Sequence, residues 1–390
     1  MLFTDYVING EAIGEVGQQL QGMRFDPGLI RPYIDSNGVR CVTLNTGRTK
    51  KDEKGNLVPV YEKVRVADLM NRGISSAVHN ATALRKLEWE MFDNIVITAA
   101  RARLRAWADL AASSTFGGFD GMSKMILEHE TMSDPGEAVV DLDGLSDGRN
   151  DSPKFQLEGL PLPITHMDFW FSQRRLAISR NSGTPLDTRM AEAAGRRIGE
   201  MIEKTLIGTV TGITYGGGSN APAYGRNSSV FGYTNFSSRL TKTGITAPTG
   251  SNPEATVSDI LTMRDQLYAA NFFGPYMIYH TTAWDKYLDN DYARLGGNNA
   301  SQTLRDRLRA IEGIQDVRRL DYFSDSTTPY QLLMVQMTPD VARAVIGMPL
   351  QTVQWESQGG MRLNFKAMTI MVPQLRADYN GNCGVLHATT

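Results

Sequence analysis

The spacing of apolar residues changes period several times along the chain, and each change marks an element. Residues 1–79 keep no long period, because Pro27, Pro32 and many glycines interrupt it. Within them, 40–46 and 58–66 are short β-prone stretches around the charged turn RTKKDEKGN, the pattern of a hairpin on an extended arm. From Leu84 the spacing becomes helical. Leu84, Leu87, Met91, Phe92, Ile95, Leu104 and Trp107 predict one long amphipathic helix over 82–112, with Gly117-Gly118 ending the segment. Residues 124–170 return to strand character. Two extended runs flank the polar turn SDGRNDSP, so a long hairpin is expected. Pro161 and Pro163 suit an edge strand, so the hairpin should project from the body.

The next stretch, GTPLDTRMAEAAGRRIGEMIEKTLIG, reads as one well-marked helix over 184–208. Thr184 is the expected N-cap, Pro185 suits the first helical position, Asp187 favours the positive end, and Gly208 is a natural stop. Leu186, Met190, Ala194, Ile198, Met201 and Ile202 form the predicted apolar stripe. Glu192 with Arg196 and Glu200 with Lys204 make i,i+4 pairs on the wet face. Ala191, Ala193, Ala194, Gly195 and Gly199 make the helix unusually rich in small residues. Each glycine costs ~1 kcal/mol against alanine in a helix interior, which calls for a packing reason. The alanines alone have a plainer reading, since alanine favours helix.

Residues 209–253 are rich in Gly, Ser, Asn and Thr and read as a loop region with short strands. A helix over 254–270 follows, then a strand leading into a short helix in GPYMIYHTTAWDKYL, then a helix from 303 in TLRDRLRAIEG. The last fifth alternates strands: QLLMVQM, RAVIGM, LQTVQWES, MRLNFKAMTIMVPQLRADY and CGVLHA. Strands and helices mix without βαβ alternation, so the fold class is α+β.

Composition narrows the function. The chain has 390 residues, 41% hydrophobic and 21% charged, with a formal net charge of −2. That is ordinary for a globular protein and lacks the positive excess of a dedicated nucleic-acid binder. The two cysteines, Cys41 and Cys383, do not make a disulfide framework and fit a reducing compartment. MLFTDYVINGEAIGEVG lacks the charge and apolar run of a signal peptide, and no window approaches a membrane span, so no membrane partner is expected.

Candidate chemistry is sparse. TYGGGSN at 214–220 lacks phosphate-loop spacing, and no G-x-S-x-G elbow occurs. The five histidines form no close ligand pair. On a strand, LEHET turns Glu128 and Glu130 to one face and His129 to the other. No catalytic residue, cofactor or metal is expected. In AARARLRAW, Arg101 and Arg105 share one face of the predicted long helix and could meet a nucleic-acid backbone without sequence preference.

One continuous run carries more. LPLPITHMDFWFSQRRLAISRNSGTPLDTRMAEAAGRRIGEMIEKTLIG resembles the corresponding run of encapsulins and of tailed-phage major capsid proteins of the Hong Kong 97 type. In those families a hairpin, the E-loop, returns through an LPLP-like strand. A D-x-W-like segment, here Asp168, Phe169 and Trp170, then precedes a long spine helix. GPYMIYHTTAWDKYL, TLRDRLRAIEGIQDVRRLDYF and IGMPLQTVQWESQGGMRLNFKAMTIMVPQLRADY follow in the family order, so the resemblance spans about residues 82–386.

The resemblance implies an arm over 1–81, a long helix and connector over 82–123 and an E-loop hairpin over 124–165. It further implies a peripheral domain over 166–253 with the spine helix at 184–208, an axial domain over 254–362, and closing peripheral strands over 363–390. Met190, Ala194, Ile198, Met201 and Ile202 would pack the spine helix, and its small residues would let a sheet of the thin shell lie close against it. The implied function is a major capsid protein that forms the pentamers and hexamers of an icosahedral shell around double-stranded DNA. A portal and decoration or scaffolding proteins would be its further partners. The virion would be its location, and the host cytoplasm its place of assembly. The long arm ahead of residue 82 favours a phage shell over an encapsulin that packages protein cargo. A soluble enzyme or binding module of unrelated fold is the remaining alternative. With no long charged helical segment ahead of the capsid-like part, scaffolding in trans, or none, is expected. Lys154 lies on the expected E-loop, but no local pattern supplies a cross-linking partner.

Overall fold

The computed structural model describes residues 7–8, 11–12, 33–35, 37–51, 57–65, 68, 84–132, 155–182, 189–210, 229–249, 252–290, 303–323, 328–378 and 380–390. The turn SDGRNDSP with Lys154, the cap at Thr184 and Pro185, Leu186, and TYGGGSN lie outside the described residues.

In the N-terminal part, short strands β1 (Val7–Ile8), β2 (Glu11–Ala12) and β3 (Tyr33–Ile34) precede the expected hairpin of β4 (Arg40–Lys51) and β5 (Leu57–Arg65). β3 also pairs in parallel with β6 (Leu84–Arg85), which ties this part to the body.

The single helix expected over 82–112 is two helices, α1 (Lys86–Arg101) and α2 (Ala106–Ser113). After α2 come β7 (Thr115–Phe116) and the hairpin of β8 (Ile126–Met132) and β9 (Phe155–Pro161), antiparallel with Ile126 opposite Pro161. Strand β10 (Thr165–Ser172) leads into α3 (Gln173–Ser182), a helix the sequence pattern does not announce, and then into α4 (Arg189–Ile207). Gly208 takes positive φ at the end of α4, as its stop role requires.

The second half supplies β11 (Arg239–Thr243), α5 (Pro253–Ala269), β12 (Tyr276–His280), α6 (Asp285–Leu288), α7 (Leu304–Arg309) and β13 (Ile314–Arg319). Strands β14 (Gln331–Gln336), β15 (Ala342–Ser357), β16 (Arg362–Leu375) and β17 (Cys383–Thr389) complete it. RAVIGM and LQTVQWES, read as two strands, are one strand with register shifts near Met348.

Two sheets organise these elements. One has the order β10-β16-β15-β7, the other β11-β17-β14-β12-β13. The chain enters each sheet more than once, and this redraws the expected domain boundaries. Residues 342–357 pair with 362–375 in the first sheet, across the expected boundary between axial and peripheral parts at 362. Residues 383–389 pair with β14, and 239–243 pair with 383–389, so both belong to the second sheet. These pairings satisfy backbone groups across long sequence distances, which local periodicity does not encode.

Three cores follow from strand alternation. On one face of the first sheet, Phe169, Phe171, Leu363 and Phe365 pack against Ala194, Ile198, Ile202 and Leu206 of α4 and Trp107 of α2. The Phe169 and Phe365 rings stack at 5.3 Å. The same core continues into one face of the second sheet through Met277, Tyr279, Leu333 and Val385. The other face of that sheet packs under α5 and α7 through Ile278, Met334, Leu386, Ile260, Met263 and Leu308. A third core anchors the base of the hairpin, where Leu160 and Leu162 meet Val345, Met368, Ile370 and Val372. Both cysteines are buried and unpaired.

Candidate functional site

The small residues of α4 face a helix. A Cβ on Gly199 would lie 2.6 Å from the Ala100 carbonyl oxygen and 3.1 Å from its Cα. A Cβ on Gly195 would strike the Val96 carbonyl oxygen and lie 3.0 Å from its Cα. The expected neighbour was a sheet. The glycines instead let the backbones of α1 and α4 meet, while the larger residues of α4 reach the first sheet. Ala194, Ile198 and Ile202 are buried in that core. Met190 and Met201 are 46% and 45% exposed, which corrects the predicted stripe. The buried sector is turned toward Ala191, Gly195 and Leu206, because α1 and the sheet share it. Glu200 pairs with Arg197 at 3.0 Å and Arg196 at 3.9 Å. Lys204, its predicted partner, lies over the Tyr322 ring instead.

The break between α1 and α2 is built by a residue far away in sequence. Glu203 of α4 is almost fully buried, and its carboxylate accepts the Ala106 N–H at 2.7 Å and the Trp107 N–H at 3.2 Å. These are orphan donors of a helix start, so Glu203 rewards a new helix at 106 over continuation of the old one. Burial pushes the Glu203 carboxyl up to about 7 against the pull of those N–H groups. One turn on, Asp109 accepts the Tyr279 hydroxyl at 3.0 Å and pairs with Arg318. Burial raises the Asp109 carboxyl as well, with Arg318 opposing.

Around Asp109 lies an open cleft of about 660 Å³ between α2 and the β13 side of the second sheet. Its walls are an ion-pair lattice. Arg305 binds Asp285 at 3.2 Å and Asp289 at 2.9 Å, while Arg319 bridges Asp285 at 2.8 Å and Asp321 at 3.0 Å. Arg309 and Arg318 share Asp316 at 2.7 and 2.8 Å. His280 is fully buried beside it, and burial lowers its imidazole, whose Nδ1 lies 2.9 Å from the Thr281 carbonyl. The charges are matched to one another, which makes the cleft a structural clasp.

This geometry separates the two arginines singled out in the sequence. Arg101 ends α1 and is exposed. Arg105 precedes α2 and lies 3.8 Å from Asp321 at the rim of the cleft. The break removes the single helical face on which they were expected to sit. Sequence reasoning missed Glu203 and Asp109. The only cue was an acidic residue beside Ile202 on the apolar side of a helix. His129 and Glu158 face each other across β8 and β9 at 3.3 Å near the hairpin base. Among the described residues, no group of three or more His, Cys, Asp or Glu is placed to hold a metal. Among them, too, no helix is long and apolar enough to cross a membrane.

The two-stranded hairpin, the long helix on a sheet of interleaved strands and the second sheet beside it define a fold of the Hong Kong 97 capsid type. The capsid of the Myoviridae phage XM1 has this fold and aligns with a TM-score of 0.51 at 12% identity, over 71% of this chain and 90% of that one. A virus-like particle from Pyrococcus furiosus aligns at 14% identity over 77% and 98%, with a TM-score of 0.48. The capsid of an empty GTA particle aligns at 12% identity over 73% and 90%, with a TM-score of 0.47. No curated protein matches the chain. Residues 79–388 match a family of unknown function, DUF6260, and the chain belongs to that family.

Proposed function

We propose that this chain is a major capsid protein that assembles with itself into the pentamers and hexamers of a phage-type icosahedral shell around double-stranded DNA. The observation that carries the reading is the fold itself, together with a two-stranded hairpin whose outer described residues leave apolar side chains exposed. Leu160 and Leu162 hold that base in a core, while Phe155 and Leu157 farther out are exposed at 62% and 46%. A two-stranded ribbon with apolar residues in water gains stability when another surface covers it. The role is structural, and closed symmetric assembly replaces catalysis as the mechanism. The virion is its location and the host cytoplasm its place of assembly.

Packaged DNA is the natural polyanion for exposed Arg101, through salt-dependent phosphate contact. Arg105 is the weaker candidate because Asp321 already holds it. Arg101→Glu should lower DNA retained per particle without changing shell yield, and unchanged retention removes the residue from this role. A portal, and decoration or scaffolding proteins, are further partners of such a shell. Analytical ultracentrifugation of the chain expressed alone tests the function. Capsomers or closed particles are expected, and a monomer at every concentration and ionic strength overturns it.

A further inference from the structure

Strand alternation gives the first sheet two faces. Leu363, Phe365 and Ala367 of β16 turn into the core beneath α4, so Asn364, Lys366, Met368 and Ile370 turn the other way. On that second face Met368, Ile370 and Val372 are covered by Leu160 and Leu162 at the base of the chain's own hairpin. The rest of the face is bare. Trp170 of β10 and Trp355 of β15 flank Asn364 in register and are 52% and 38% exposed. Met361, at the turn beside them, is exposed as well.

This bare half carries surplus positive charge. The Arg362 guanidinium lies 4.4 Å from the centre of the Trp170 ring and has no ion pair among the described residues. Lys366 lies over Trp355 and is held by Asp168 at 3.6 Å. Helix α3 begins where the Gln173 N–H donates to the Met361 carbonyl at 2.9 Å, and Arg174 and Arg175 of its first turn are exposed.

The hairpin carries the complement. Its register sets Glu130 opposite Leu157 and Glu128 opposite Gly159, so Glu128, Glu130, Phe155 and Leu157 share one face. Both glutamates are exposed and have no ion pair among the described residues. The hairpin's other face is where His129 meets Glu158.

We propose that the bare half of the first sheet receives the acidic, apolar face of the hairpin from a second copy of this chain. Phe155 and Leu157 lie over Trp170, Trp355 and Met361, and Glu128 and Glu130 reach Arg362. The inference rests on the shell reading and adds to it the receiving surface and the chemistry of the fit. Both surfaces are open to water in the single chain, so their partners lie in another copy. Rings and charge are matched together, and Trp and Arg are the residue types that most often anchor protein interfaces. A DNA duplex would match the arginines alone, because its bases are stacked and offer no face to the rings.

Cysteine pairing in assembled particles of the full chain tests this. Leu157→Cys combined with Met361→Cys should give a ladder of linked chains on a non-reducing denaturing gel. Either substitution alone should give nothing beyond a dimer, since the native cysteines are buried. Charge reversal gives a second reading that does not need the disulfide. Glu130→Arg and Arg362→Glu should each raise the subunit concentration needed for assembly by about tenfold, and the two together should recover most of that loss. Normal particles without a ladder, or reversals that do not repair each other, overturn the proposal and leave the shell reading standing. Arg362→Glu particles that assemble normally but hold less nucleic acid would give the face to a polyanion and overturn it too. A wild type that never assembles overturns the shell reading, and the proposal with it.

Discussion

Replacing Gly199 by alanine sets two effects of opposite sign against each other. Helix propensity favours alanine by ~1 kcal/mol in a helix interior. Packing opposes it, because the new Cβ would lie 2.6 Å from the Ala100 oxygen, 3.1 Å from its Cα and 3.3 Å from its carbonyl carbon. All three are backbone atoms, so no side chain can swing aside, and α1 must retreat by at least about 0.5 Å. Overpacking of this kind costs ~1–3 kcal/mol, with the upper part of that range expected where a whole helix moves. The net expectation for Gly199→Ala is a loss of ~1–2 kcal/mol. Gly195→Ala should cost more, since its Cβ would strike the Val96 oxygen more closely. The double variant should cost less than the sum, because one retreat of α1 relieves both sites. Urea unfolding of dissociated subunits, followed by circular dichroism, measures all three. A gain of ~1 kcal/mol in Gly199→Ala would mean that propensity wins and that the helices do not touch as described.

Two buried groups should give opposing pH dependence. Glu203 is raised from 4.5 to about 7, so its contribution is full below 4.5 and lost as pH rises through 7. Burial lowers His387 from 6.5 to about 4, so its contribution is full above 6.5 and lost as pH falls through 4. Each is worth at most ~3 kcal/mol, and they nearly cancel across the shared window. The wild type should therefore show a shallow profile there. Glu203→Gln should leave stability rising with pH, and His387→Gln should leave it falling; parallel profiles in all three proteins would contradict the assignment. Burial pushes the Cys383 thiol up to about 12 and raises Cys41 as well. Neither should react with iodoacetamide in native subunits, and both should react on unfolding; rapid native alkylation would place them at the surface.

The elements written in local spacing were legible. The helix at 189–207, the hairpin at 126–161 and the strand at 276–280 follow from periodicity, turn residues and a run of apolar side chains. The glycines of α4 were legible as a demand for a close neighbour, but nothing in their own helix says whether that neighbour is a sheet or a helix. What local spacing hid was long-range. The break at 102–105 depends on Glu203, so an apolar period that ran through it looked continuous. The sheet exchange of 342–357 and 383–389 depends on pairings that adjacent residues do not specify. Met190 and Met201 kept helical spacing while lying at the edge of the buried sector. The charge clasp was hidden for the same reason: Asp109 and Arg318 are ordinary surface residues until the fold brings α2 to β13.

Electron microscopy of the protein expressed alone, with absorbance at two wavelengths to detect nucleic acid, tests the central claim most directly. Closed shells, tubes or capsomers built from pentamers and hexamers are expected, with the β8–β9 hairpin of one subunit lying on its neighbour. A monodisperse monomer or dimer under all conditions would contradict it, and small uniform shells enclosing a co-purifying enzyme would assign the fold to a cargo compartment instead.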